Sequence, residues 1–84
     1  MSRIEALLGF IRANPQDPFP RYALALEYKN SGRLDDARTT FDALMTANPD
    51  YTAAYLHAGN TLLALDLRDE ARAVYQRGVD ACAR

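Results

Sequence analysis

The feature that most constrains this chain is that it says one thing twice. DARTTF (Asp36 to Phe41) and EARAVY (Glu70 to Tyr75) both run acid, Ala, Arg, two further residues, aromatic ring, at an offset of 34 residues (70 − 36). The same offset carries Asn14-Pro15 onto Asn48-Pro49, and Asp35, Ala37 and Arg38 onto Asp69, Ala71 and Arg72. Ala13, Ala47 and Ala81 are also in phase. A fixed period over most of an 84-residue chain predicts one supersecondary unit stacked on its copy.

The unit is helical. Val occurs only at 74 and 79 and Ile only at 4 and 11, while Ala, Leu and Arg, all good helix formers, are abundant. Breakers at Pro15, Pro18, Pro20, Gly32, Pro49 and Asp66 divide the chain into five segments of 12 to 16 residues, at 2–13, 18–31, 34–47, 51–65 and 68–83. Ser2 and Glu5 have the spacing of a capping box. Asp17 and Asp50 are the expected N-caps of the second and fourth segments, and Gly32 the expected left-handed stop of the second. Connections of two to four residues force sequential helices to pack antiparallel.

Helical wheels set the burial. At about 100° per residue, Leu44, Ala37, Phe41 and Met45 span about 340° through 80°, with Ala47 near 280°. The arc is wider than the stripe of a helix facing one neighbour, so segment 34–47 must touch elements on two sides. Ala25, Ala37, Gly59 and Ala71 are the small residues that permit close approach, and Phe41 and Tyr75 fill the space beside them.

These positions resemble the tetratricopeptide repeat family, whose pattern is W-x2-L-G-x2-Y, then A-x3-F, then P. The first full unit gives Leu24-Ala25-x2-Tyr28, Ala37-x3-Phe41 and Pro49, with Arg21 where the pattern has tryptophan. The second gives Tyr55-x2-Ala58-Gly59-x2-Leu62 and Ala71-x3-Tyr75, with Ala83 where the pattern has proline. Residues 1–17 align with the second half of a preceding repeat, leaving 18–51 and 52–84 as full repeats of one domain, 1–84. The resemblance implies an all-α, right-handed superhelical stack of antiparallel helix hairpins, five helices in all. It also implies that the first helix of each hairpin lines a concave face that binds a peptide or protein. That face would carry Phe19, Tyr22, Leu26 and Lys29 from one helix and Ala53, Leu56, Asn60 and Leu63 from another. Some family members clamp a C-terminal carboxylate with Lys and Asn. The corresponding positions here are Tyr22, Leu26 and His57, so no clamp is expected.

Segment 68–83 offers a second surface. Ala81, Val74, Gly78, Ala71, Cys82, Tyr75 and Val79 span about 280° through 80°, an arc as wide as that of segment 34–47 with no following helix to cover it. Val74, Tyr75, Gly78, Val79 and Cys82 therefore form the expected oligomer face, covered by a second copy in a homodimer, by a partner, or by further repeats of a longer array.

Other chemistries find little support. There is no H-E-x-x-H and no phosphate-cradling glycine loop. One His and one Cys cannot build a His/Cys metal site within one chain. His57 and Cys82 fall on different helices, so a nucleophile pair is not expected, and no catalysis or cofactor is. The Asp35/Asp36 pair suits a helix N-terminus better than acid–base work. A net charge of −1, with ten basic residues dispersed, argues against nucleic acid as partner. No apolar run approaches the ~20 residues of a membrane span, and no basic-then-apolar leader opens the chain, so the expected setting is cytoplasmic.

Overall fold

The breakers act where the sequence places them. A computed structural model describes residues 2–83, in five α-helices: α1 (Arg3–Ala13), α2 (Pro18–Asn30), α3 (Leu34–Ala47), α4 (Thr52–Ala64) and α5 (Arg68–Ala83). Among the described residues there is no strand. The Ser2 hydroxyl accepts from the Glu5 N–H at 3.1 Å, and Asp17 accepts from the Phe19 N–H at 3.1 Å. Each satisfies a donor that the first helical turn leaves open.

The period shows itself in the turns. Gly32 closes α2 at φ 79°, and the Arg33 N–H returns to the Tyr28 carbonyl at 2.8 Å. Thirty-four residues on (66 − 32), Asp66 closes α4 at φ 61°, and the Leu67 N–H returns to Leu62 at 2.9 Å. Aspartate is among the few non-glycine residues that tolerate this left-handed backbone. The same turn is thus built from two different residues.

Two expectations fail at the turn between α3 and α4. Asp50 does not stand at the N-cap of α4; Tyr51 does, with no side-chain cap bond. The Asn48-Pro49 turn instead closes through the backbone, the Tyr51 N–H donating to Asn48 and the Ala54 N–H to Tyr51. Asp50 therefore comes one residue too early. Ala47 is exposed despite its place on the wheel, because α3 ends there and the turn carries the chain away.

Each helix packs on its sequence neighbours, and α2 also meets α4, which turns a string of hairpins into a stack. The shortest dimension of the Cα trace is 13 Å, so the molecule is a thin slab with one line of core through it. Ala37, Phe41, Leu44 and Met45 of α3 are buried, held from both sides as the wide arc requires. The α1 helix contributes no buried residue, although Ser2 and Asn14 bound it cleanly.

The hairpin of α4 and α5 is tightened by two glycines. A Cβ on Gly59 would overlap the Tyr75 ring, and one on Gly78 would come within 2.7 Å of the Tyr55 Cβ. Outside the core, Arg38 of α3 reaches Glu70 of α5 through two bonds of 2.9 and 2.8 Å. Both bonds come from one guanidinium nitrogen, and the charge-assisted pair ties the second helix of one repeat to the second helix of the next.

Candidate protein interface

Two surfaces arise from this stack. The first is the seam between α2 and α4. Tyr22 stands 5.3 Å from the Tyr51 ring and 5.7 Å from the His57 ring, which it meets edge-on. Both spacings fall in the range of favourable ring pairs. His57 Nδ1 is buried without a hydrogen-bond partner among the described residues. Burial, and next the nearby Lys29 ammonium, hold the His57 pKa below its ordinary 6.5. Burial raises that of Tyr51, with Tyr22 and Asp17 adding to it. Leu26 packs against the core beside this cluster, and Lys29 is half-buried. Phe19 and Ala53 stand exposed in the first turns of α2 and α4.

The second surface lies between α4 and α5. Leu56 lines a hollow of about 390 Å³ with Tyr55, Tyr75, Gly78, Val79 and Cys82. Leu63 lines an adjoining hollow of about 420 Å³ with Arg68, Arg72, Tyr75, Gln76 and Val79. Between them, the Tyr75 hydroxyl donates to Asn60 Oδ1. The side-chain carbonyl oxygen of Asn60, one of the residues expected on the concave face, is thus already engaged. Leu56 and Leu63 each line a hollow with Tyr75 and Val79, and these shared residues join the two hollows into one groove. Of the eight residues expected on one concave face, Tyr22 joins the ring cluster, and Leu56 and Leu63 line the hollows beside α5.

A family model for the tetratricopeptide repeat matches residues 28–81, which is 54 of 84 residues (81 − 28 + 1). The chain belongs to the tetratricopeptide repeat family. Such repeats generally mediate protein–protein interaction. No curated protein matches the chain.

The repeats can be compared position by position at their 34-residue offset. Met45 of the first repeat is 2% exposed, and its counterpart Val79 is 61% exposed. Phe41 is fully buried, whereas Tyr75 is only partly so. Tyr22 packs under Tyr51 and His57, while its counterpart Leu56 is 56% exposed. In each case the first-repeat residue lies on the side where α4 and the turn leading to it pack, and the second-repeat residue is more exposed.

The residues of the expected oligomer face differ in exposure. Val74 is buried, and Gly78 lies against Tyr55 while also lining the hollow beside Leu56. The wide arc of α5 has a covered edge at Ala81 and Val74 and an open edge at Tyr75 and Val79; Cys82, between them on the wheel, is also exposed. The wheel gives the arc but not which edge meets a neighbour.

Sequence reasoning also missed Tyr51, His57 as a packing partner of Tyr22, and Arg72 on the groove rim. For Arg72 a signal was present, since it repeats Arg38 in phase. Among the described residues no group of His, Cys, Asp or Glu could hold a metal ion, and no helix is long and apolar enough to cross a membrane.

Proposed function

We propose that the chain is a non-catalytic adaptor in which the α2–α4 seam binds a protein or peptide partner. The observation that carries this reading is the half-open ring cluster of Tyr22, Tyr51 and His57, flanked by Lys29 and by the exposed Phe19. Aromatic rings of partial exposure beside a single cation are the kind of surface that anchors a partner. Phe19 supplies apolar area at one end, and Lys29 can meet an acid of the partner. Leu26, half-buried against the core, and the exposed Ala53 lie on the same two helices.

The test is calorimetric titration of a purified native partner into wild type, Phe19→Ser and Lys29→Glu. Neither side chain is part of the buried core, and matching melting temperatures establish that the variants fold. Phe19→Ser should weaken binding by roughly tenfold, and Lys29→Glu by less. Unchanged affinity in both variants removes the seam as the binding surface.

A further inference from the structure

The groove between α4 and α5 is a different surface, and it can stand or fall without the seam. Its floor is apolar: Leu56, Leu63, Tyr75 and Val79. Its rim is basic. Arg68 and Arg72 line it, and no acidic residue lines either hollow. Arg68 has only a 3.4 Å contact with Asp66, both strongly exposed. Arg72 makes no ion pair among the described residues.

The first repeat shows what such a surface accepts. There, the counterparts Phe41 and Met45 are buried where α3 packs on α4, an apolar helix, and Arg38 is met by the Glu70 carboxylate of the next helix, α5. Arg72 is the counterpart of Arg38, with the same side chain in the same phase and its acid missing. A second copy is a poor occupant. Two identical grooves placed face to face bring arginines against arginines, and like charges across an interface are costly.

We infer that this groove receives an amphipathic helix of a partner protein, its apolar stripe on Leu56, Leu63 and Val79 and an acidic residue at its flank against Arg72. The helix-in-groove mode supplies affinity through the stripe, and the acid fixes orientation.

The experiment selects binders from a displayed library of amphipathic helical peptides against the whole chain. Selected peptides are then titrated by fluorescence anisotropy into wild type, Val79→Glu and Arg72→Glu. Both sites are exposed, and matching melting temperatures establish that the variants fold. The expected result is enrichment of peptides with an acid at one flank, losing roughly tenfold or more on Val79→Glu. They should lose about fivefold on Arg72→Glu, and a peptide with that acid changed to Lys should recover binding to Arg72→Glu. Bound peptide should also slow maleimide labelling of Cys82, the single thiol, which lines the groove. The inference is overturned if no peptide is enriched, if those selected bind Val79→Glu and wild type equally, or if the charge swap brings no recovery. It is also overturned if light scattering shows wild type dimeric and Val79→Glu monomeric, since a second copy then fills the groove.

Discussion

Ala37 and Ala71 do the same work in the two repeats, and Phe41 and Tyr75 do not. Both alanines are wholly buried, because each faces the partner helix of its own hairpin. The rings differ because α4 closes over Phe41 from outside the α2–α3 hairpin, whereas Tyr75 is held by its own hairpin alone, through Gly59 and Asn60. The alanine contacts inside a repeat are thus made in both copies, whereas the cover that a following repeat supplies is made only for the first. Stability in such a stack is a sum of intrinsic terms and neighbour terms, and this chain separates the two kinds at matched positions.

The comparison can be broken most directly at the rings. Phe41→Ala should cost about 3–5 kcal/mol, the usual range for emptying a buried aromatic site. Tyr75→Ala should cost about 1–2 kcal/mol, because part of the ring already meets solvent. Urea unfolding of the two variants measures the difference, and equal losses would mean that α4 adds nothing to the first ring. At the alanines the opposite is expected. Ala37→Leu and Ala71→Leu should each cost about 1–3 kcal/mol by overpacking, and by similar amounts. Unequal midpoints at unchanged slope would show that the two hairpins are not equivalent inside.

The smallest effect sits where the repeats meet. His57 is held neutral by burial and by Lys29, so its folded pKa lies below 6.5. In the window between the lowered value and 6.5, the unfolded chain binds more protons than the folded one. Stability should therefore be unaffected by this group above the window, fall as pH drops through it, and level off below. His57→Gln should flatten that slope in thermal melts recorded across the window. A slope that persists unchanged belongs to other groups.

The period and the breakers made the helices legible, because Pro, Gly and repeated Asn-Pro act locally. The core alanines and rings of α3 and α5 were legible for the same reason: a wheel reports the direction of each side chain about its own axis. What a wheel does not report is the neighbour. Val74 and Val79 lie on one apolar arc, yet Val74 is buried and Val79 open. Leu56 and Leu63 share a face of α4, but how α4 lies on α2 and α5 decides that this face borders the α5 groove. Asp50 was a sound cap by residue type and failed by one position of backbone geometry.

The two glycines of the last hairpin have a consequence for exchange between proteins. Tyr55 needs Gly78 and Tyr75 needs Gly59, so each helix carries one ring and one notch for the other. Sliding α5 by a turn along α4 would bring ring against ring in one direction and leave both notches empty in the other. The pair therefore behaves like a key cut together with its lock. Transplanted as a hairpin into another array, it should bring its own alignment; a lone α5 set beside a helix without the notch should not seat.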